Sequence, residues 1–273
     1  MLTKKEIEFF NENSYLRLEQ VFPPAEAEAL DRELAYVIET FVTPTKGWQG
    51  PWRKDKQYLN DEEEEKTELF GAKELQHYGP AWTRAIFNER LVESIADLIG
   101  PELEFQQQTL HAKGPEFGAP FPMHQDYPFY PHEDDRFIAV LVYVDTATEE
   151  NGCITFLAGS HKLGGLEHLH LGGAPHLPTD QYRIEDAVSV PANAGDAVLM
   201  SINTIHGSAV NRTDKMRRLV RFGYRNPRNR QLSGQGLGRP GIMVQGLRPK
   251  VDGIEIDPYG PWRGEPTPVP AQP

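Results

Sequence analysis

From residue 103 onward the chain consists of short apolar runs, rich in branched and aromatic residues and separated by Gly, Pro, Asn and Asp. Such runs between turn residues are typical of β-strands. Many short strands without helical patterns between them favour a sandwich or a barrel, and a jelly roll fits this number. The predicted strands cover 105–113, 137–145, 153–157, 187–190, 196–202 and 219–225.

The first hundred residues carry helical signals instead. Thr3 and Glu6 form a capping box for a first helix. Pro23 and Pro24 open a second helix, and Asn88 caps a third. Apolar residues recur at helical spacing and are predicted to face the core: Leu30, Leu34, Val37, Ile38 and Phe41 in the second helix, and Leu91, Val92, Ile95, Leu98 and Ile99 in the third.

The chain is therefore predicted to be mainly β with flanking α-helices, folded as a double-stranded β-helix, which is a cupin-like jelly-roll barrel. Its 273 residues are enough for one large domain with a sizeable core. We expect one domain in three parts: a helical support with a loop or lid at 1–102, the jelly roll at 103–230 and a C-terminal extension at 231–273.

Two segments do not fit this pattern. Residues 42–66 place Trp48 and Trp52 among Gly and Pro, and end in the acidic run 61–66, which is typical of a solvated loop or helix start. A segment this long is either a lid or a surface loop. Residues 164–186 carry no motif that we can assign.

Composition excludes several functions. The net charge of -12 opposes binding to a phosphate backbone, and the short basic segment at 212–230 is more typical of the border of a small-anion site. Cys153 is the single cysteine, so no internal disulfide can form and a cytoplasmic, reducing compartment is expected. No apolar stretch is long enough to span a membrane. The sequence does not determine the oligomeric state.

Three residues form a candidate metal site at the edges of predicted strands. His124 and Asp126 are two positions apart, and His206 follows far downstream. In an extended strand, positions i and i+2 share a face and can reach one cation. Two imidazoles and a carboxylate form the facial triad that suits Fe(II) and leaves positions open for oxygen and a co-substrate.

Other histidines compete for this role. His168 and His170 have the same spacing, but Gly and Pro surround them and a surface loop is the better interpretation. His132 precedes three acidic residues, 133–135, and with them could bind a cation opportunistically.

Taken together, the motifs resemble the phytanoyl-CoA dioxygenase family of iron- and 2-oxoglutarate-dependent oxygenases. The similarity covers about 105–226, and the order and spacing of the elements carry it. These elements are His124-Gln-Asp126, Asn151-Gly152, Gly159-Ser-His161-Lys162, Gly195-Asp196, His206-Gly-Ser208 and Arg217.

The resemblance implies a role for each matching residue. His124, Asp126 and His206 match the iron ligands, and Arg217 matches the residue that pairs with the distal carboxylate of 2-oxoglutarate, with its neighbour Arg218 as the alternative. A guanidinium suits this task because it offers two parallel donors. Weaker matches near the co-substrate or substrate are Ser208, His111 and Gln107, which could equally be hydrogen-bonded residues of half-buried strands. Tyr127, Phe129 and Tyr130 are candidates for the substrate pocket, or for core or lid packing.

The implied activity is oxidation of an unactivated C–H bond with Fe(II), 2-oxoglutarate and O₂, releasing succinate and CO₂. Asp126 favours hydroxylation, desaturation or cyclisation, since related halogenases carry a small residue there. The substrate is expected to be a small molecule, a metabolite or natural product. Two alternatives remain open: a cupin-like metalloenzyme that does not use 2-oxoglutarate, and a non-catalytic jelly-roll binding protein.

Overall fold

The computed structural model describes residues 1–46, 59–169 and 175–251. Within these residues the strands form two antiparallel sheets, one of eight strands and one of four. A cavity lies between the sheets and is lined from both. The predicted jelly roll is confirmed, with helices on one side of the larger sheet.

Five α-helices lie within the described residues: α1 (Lys4–Asn13), α2 (Pro24–Phe41), α3 (Asp61–Lys66), α4 (Pro80–Ala85) and α5 (Glu89–Ile99). Thr3 and Glu6 form the predicted capping box, and the Asn88 side chain accepts a hydrogen bond from the N–H of Leu91. The predicted core stripe of α2 is correct for its buried leucines and valine but wrong for Phe41, which is 56% exposed at the last turn of the helix.

The larger sheet has the strand order β1-β9-β6-β11-β4-β3-β2, with β12 also paired to β4. All of these pairs are antiparallel, and β11 lies between β4 and β6 at the centre. The strands are β1 (Tyr15–Leu18), β2 (Thr45–Lys46), β3 (Glu68–Phe70), β4 (Leu103–Lys113), β6 (Phe137–Tyr143), β9 (Ala197–Ser201), β11 (Arg217–Arg225) and β12 (Ile242–Gln245).

The smaller sheet has the order β5-β10-β7-β8 and faces the larger one across the cavity. It contains β5 (Phe121–His124), β7 (Ile154–Phe156), β8 (Val188–Ser189) and β10 (His206–Ser208). The Asn151-Gly152 turn precedes β7, and Gly152 has a positive φ of 74°. An Asn-Gly pair is typical of a hairpin turn between two neighbouring strands. Instead it carries the chain from β6 in one sheet to β7 in the other.

Alternate residues of the central strands enter two different cores. Along β6, Val140 and Val142 pack against the helices, whereas Leu141 and Tyr143 face the smaller sheet. Both faces of this strand are therefore buried, which explains its unbroken apolar run. The predicted strands all correspond to strands of the fold. The short strands β1, β2, β3, β5, β10 and β12 were not among the predicted ones.

Part of the predicted loop or lid, residues 47–58 with Trp48 and Trp52, lies outside the described residues. The acidic run that follows forms α3, and its exposed side chains agree with a solvated helix start. No helix in the described ranges has the length and apolar character that a membrane crossing requires.

Asp196 connects the start of β9 to the N-terminal segment. Its buried carboxylate accepts hydrogen bonds from the Arg17 guanidinium, at 2.9 and 3.1 Å, and from the backbone N–H groups of Gln20 and Asn193, both at 2.8 Å. Gln20 has a φ of 49°, in the left-handed region that non-glycine residues rarely adopt. The carboxylate thus holds a strained turn against the sheet.

We predict that Asp196→Asn lowers the free energy of unfolding by about 2 kcal/mol, because an amide loses the charge-assisted bonds and turns its own donors toward other donors. Urea denaturation followed by circular dichroism measures this. Asp214→Asn, which changes an exposed carboxylate, is the matched control. Equal stability of the two variants would contradict the role given to Asp196.

Candidate metal centre

His124, Asp126 and His206 come together at one end of the smaller sheet. Each offers a ligand atom, and these three atoms lie within 4.8 Å of one another. The His206 Nε2 and the Asp126 Oδ1 are 4.0 Å apart, and the centroids of the two imidazole rings are 4.3 Å apart. Among the described residues this is the single group of three such side chains that can hold a metal ion.

Strand pairing, rather than the pleat of one strand, assembles this group. His124 ends β5 and lies directly opposite His206, which begins β10. Asp126 lies beyond β5 with helical backbone angles, φ −73° and ψ −23°. The argument that an extended strand places His124 and Asp126 on one face is therefore wrong in its detail. A turn of the chain after His124 brings the carboxylate to the imidazoles.

Backbone carbonyls orient both imidazole rings. The Nδ1 of His124 lies 2.7 Å from the carbonyl oxygen of Pro122, and the Nδ1 of His206 lies 3.0 Å from that of Thr204. A carbonyl only accepts, so each Nδ1 carries the proton and donates it. Each Nε2 therefore keeps a free lone pair, as a metal-ligating histidine requires.

The protonation states also suit metal binding. Burial lowers the pKa of His124 to about 3 and lowers that of His206, so both rings are neutral near pH 7. Burial opposes ionisation of Asp126, but the positive charge of Arg221 outweighs it and lowers the pKa of this carboxyl. Neutral imidazoles and an ionised carboxylate are the forms that bind cations.

Gln125, between the two ligands, is fully buried and ties the loop down. Its Nε2 donates to the carbonyl oxygens of Gly164 and Asn203, at 2.8 and 2.7 Å, and its Oε1 accepts from the N–H of Leu166. Its backbone N–H donates to the Nε2 of His168 at 2.9 Å. Hydrogen bonds to residues 164–168 and to Asn203 therefore hold the turn that carries the metal ligands.

His168 is buried, with 4% of its surface exposed, so its interpretation as a surface-loop residue is wrong. Its Nδ1 lies 2.9 Å from the carbonyl oxygen of Leu166, which sets the tautomer in which Nε2 accepts from Gln125. The segment 164–186, which carries no recognisable motif, thus supplies support for the metal ligands. His170 lies outside the described residues.

His132 and the acidic residues after it do not form a cation site. His132 is buried, and its Nδ1 lies 2.7 Å from the carbonyl oxygen of Tyr130. Asp134 pairs with Arg136 at 2.6 Å, and Glu133 pairs with Arg230. Two of the three carboxylates are therefore used in ion pairs. Within the described residues these side chains do not form a group that could hold a metal ion, so the predicted opportunistic site is wrong.

The triad opens onto a cavity of about 250 Å³ between the sheets. Its described walls are mixed. They combine apolar and aromatic side chains with two arginines and one lysine. The lining residues used below are Lys73, Thr109, His111, Phe129, Tyr130, Leu141, Arg217, Leu219 and Arg221.

Arg217 lies at one end of the cavity and is 1% exposed. Its Nη2 donates to the carbonyl oxygen of Gly152 at 3.1 Å, but its Nε and Nη1 are buried and have no hydrogen-bond partner among the described residues. Burial lowers the pKa of Arg217 to about 10, which still leaves it charged at neutral pH. A buried guanidinium with unused donors is costly unless a ligand completes its hydrogen bonds.

Arg218 points to the opposite side of β11. It pairs with Asp145 at 2.5 Å and with Asp31 of α2 at 2.8 Å. Of the two neighbouring arginines, only Arg217 therefore enters the cavity, as strand alternation requires.

Arg221 is a second cavity arginine, and the sequence analysis missed it. Its Nη1 donates to the Oδ2 of Asp126 at 3.1 Å and to the hydroxyl oxygen of Tyr130. It therefore connects the metal-binding carboxylate to the aromatic wall. The sequence did carry a signal for Arg221, because Arg217, Leu219 and Arg221 occupy every second position of one strand and therefore share a face.

The other predicted residues are distributed around these groups. His111 lines the cavity beside Leu219, and burial lowers its pKa to about 3, so the ring is neutral. Ser208 is fully buried at the end of β10, and its Oγ has no hydrogen-bond partner. Gln107 precedes His111 on β4, and it is not among the described residues that line the cavity.

The three aromatic residues after Asp126 divide into two groups. Phe129 and Tyr130 line the cavity, and the ring of Phe129 lies 6.1 Å from that of His124. Tyr127 is not among the described lining residues, and its ring lies instead against Gly165.

Comparison with known proteins agrees with this geometry. The chain is 28% identical over 168 residues to a probable alpha-ketoglutarate-dependent hypophosphite dioxygenase of Stutzerimonas stutzeri, a match that spans 59% of this chain and 58% of that relative. It is 27% identical to dioxygenase lolE1 of Epichloe uncinata over 80% of this chain and 81% of that one. The crystal structure of the alpha-ketoglutarate-dependent carbocyclase SnoK from nogalamycin biosynthesis has the same fold, with a TM-score of 0.69, 19% identity, and coverage of 90% and 94% of the two chains.

A jelly roll whose sheets enclose two histidines, an aspartate and a buried arginine defines a class of non-haem metalloenzyme. Residues 10–219 match the sequence model of the phytanoyl-CoA dioxygenase (PhyH) family, and the chain belongs to this family. It is thus an oxygenase that depends on iron and 2-oxoglutarate, as the sequence predicted.

We predict that His168→Ala weakens metal binding by about 10- to 100-fold, the usual effect of removing a group that orients metal ligands. The buried N–H of Gln125 would lose its acceptor and the turn between the ligands would loosen. Anaerobic calorimetric titration with Fe(II) measures the change. His77→Ala removes an exposed imidazole and serves as the control. Unchanged affinity in His168→Ala would show that the turn does not depend on this contact.

Proposed function

We propose that this protein is a hydroxylase of a small-molecule substrate, in which His124, Asp126 and His206 hold Fe(II) and Arg217 binds the distal carboxylate of 2-oxoglutarate. The observation that carries the proposal is the buried guanidinium of Arg217, which lies in the same cavity as the triad and has two nitrogens, Nε and Nη1, without a hydrogen-bond partner in the described part of the chain. It favours an enzyme with a dianionic co-substrate over a cupin-like metalloenzyme without one.

The surroundings of Arg217 fit a carboxylate. Besides its own Nε and Nη1, the hydroxyls of Ser208 and Tyr143 are buried and find no hydrogen-bond partner within the described ranges. Lys113, opposite Arg217 on β4, donates to the carbonyl oxygen of Ser208 at 3.3 Å, which places Ser208 at the same end of the barrel. An acid with two oxygens would satisfy donors that the protein leaves unused.

Bound iron and 2-oxoglutarate would supply oxidation of a C–H bond by O₂, with succinate and CO₂ as the other products. The chain contributes position and environment. The carbonyl groups of Pro122 and Thr204 fix the imidazole orientations, and Arg221 keeps Asp126 ionised. Phe129 places an apolar ring beside His124 on the metal-facing wall.

An aspartate at the third ligand position supports hydroxylation, desaturation or cyclisation, of which hydroxylation is our choice. The names of similar proteins refer to hypophosphite and to nogalamycin biosynthesis. Since these molecules differ widely, they support a small-molecule substrate without selecting one. His111 on β4, together with Phe129 and Tyr130, is proposed to contact co-substrate or substrate.

The test is an anaerobic titration of the Fe(II)-loaded protein with 2-oxoglutarate, followed by the weak visible band of the chelate. We predict that wild type shows the band and that Arg217→Gln weakens 2-oxoglutarate binding by about 10- to 100-fold, since a buried charge-assisted pair is lost.

Arg218→Gln is the matched control, because it removes the neighbouring guanidinium on the outer face of the same strand. Its chelate should form with wild-type affinity in protein that circular dichroism shows to be folded. If Fe(II) binds but wild type gives no band, the cupin-like alternative or a binding role becomes the better account. If Arg218→Gln loses the band and Arg217→Gln retains it, the assignment of the arginine is reversed.

A further inference from the structure

Two exposed residues mark the mouth of the cavity. Of the described residues that line it, only Lys73 and Gln235 are exposed, and the others are buried or half-buried. Lys73 directly precedes Glu74, and Gln235 lies four residues before Arg239 in the C-terminal extension. Glu74 and Arg239 form an ion pair, with the Oε1 and the Nη1 3.0 Å apart. This pair therefore joins the two sides of the mouth.

Residues 235–241, which we call the strap, are fixed at both ends. At the first end the N–H of Gln235 donates to the carbonyl oxygen of Phe129 at 2.8 Å, on the aromatic wall of the cavity. At the other end the N–H of Gly241 donates to the Oε1 of Glu104 at 2.7 Å. Glu104 is fully buried on β4 and pairs with an arginine of β11. The strap thus runs from one wall of the cavity to the larger sheet.

Between these ends the strap has little packing against the core. Residues 237–240 are exposed, and Leu237 is 55% exposed. Gly238 has a positive φ of 77°, and a Cβ added there would meet no described atom within 4 Å. Among the described residues, the bond from Arg239 to Glu74 is the single polar contact between residues 236–240 and a part of the chain outside the C-terminal extension. A segment with so few buried contacts can open while the core stays folded.

Glu74 is held in position for this contact. Its φ of 57° lies in the left-handed region, which a glutamate rarely adopts. Its N–H donates to the carbonyl oxygen of Gln108 at 2.8 Å, and its Oε2 accepts from the Nε2 of Gln76 at 2.6 Å. Strained backbone that its surroundings enforce is concentrated at functional positions. Glu74, with 19% of its side chain exposed, is the fixed partner, and Arg239, with 63% exposed, is the movable one.

We infer that the strap is a lid over the mouth of the cavity, and that the ion pair of Glu74 with Arg239 is the latch that keeps it closed. An exposed ion pair is weak, so the latch opens and closes reversibly. Opening admits small molecules, and closure shields the metal centre from water. The C-terminal extension, which lies beyond residues 10–219 of the family match, thereby gains a role in the site. The inference rests on the proposed function only where the admitted molecule is 2-oxoglutarate.

Hydrogen exchange followed by mass spectrometry tests the latch without any ligand. Peptides that cover residues 235–241 report the opening of the strap. We expect Arg239→Gln and Glu74→Gln each to speed exchange there by about two- to fivefold, the effect of losing an exposed ion pair. Arg239→Lys keeps the charge and should exchange more slowly than Arg239→Gln. Arg228→Gln is the matched control, because it breaks an exposed pair of the same 3.0 Å length, with Glu102, away from the mouth.

The release of 2-oxoglutarate tests whether the latch controls the cavity. The anaerobic complex with Fe(II) is mixed with excess succinate, which has both carboxylates but lacks the keto group that gives the visible band. The decay of the band then gives the dissociation rate. We expect this rate to be about two- to fivefold higher in Arg239→Gln than in wild type. In wild type it should also rise with salt, because salt screens an exposed pair, and Arg239→Gln should show a smaller rise.

The two measurements separate the two proposals. Absence of the band in wild type would defeat the proposed function, and the exchange rates would then decide on the latch. Equal exchange rates in wild type, Arg239→Gln and Glu74→Gln would overturn the latch. Faster exchange with an unchanged dissociation rate would show that the strap does not close the cavity, which overturns the inference as well. An equal acceleration in Arg228→Gln would also overturn it, because any lost surface pair would then loosen the extension.

Discussion

The pairing of β10 with β5 is the contact on which the metal centre depends. It sets His206 opposite His124, so that two residues separated by 82 positions in the chain present their rings to one point. Side chains alternate along a strand, and a shift of one residue in this register would turn one imidazole to the other face. The buried side chain of Gln125 then fixes the turn that adds Asp126. The position of the third ligand, Asp126, thus depends on the turn that directly follows β5.

Burial has two consequences at this centre that act together. It lowers the pKa values of His124 and His206, which keeps their rings neutral. It would also favour protonation of Asp126, and the nearby guanidinium of Arg221 prevents this. The protein therefore requires a cation next to the metal-binding carboxylate. This placement explains how a chain of net charge -12 can have a cavity wall in which cations outnumber carboxylates.

Much of the fold could be predicted because the local sequence signals of its strands and helices are strong. The apolar run of β6 and the capped, amphipathic helix α5 each satisfy a local rule, and the structure follows it. The prediction that Phe41 faces the core was wrong because helical spacing does not show that the last turn of α2 extends past the core. The strands β5 and β10 were missed because they are short and carry the ligands, so that His and Gly replace the apolar pattern.

The sequence by itself determined the chemistry: the three metal-binding residue types, the family, and the arginine at a strand position suited to a carboxylate. Tertiary structure alone decided which groups support them. His168 reaches Gln125 across 43 residues, and Arg221 reaches Asp126 across 95. Such contacts follow from sheet pairing and loop packing, in which distant segments meet and local spacing carries no information. For the same physical reason, the pairing of Thr109 with both Arg221 and Lys73 is visible only after the strands are aligned.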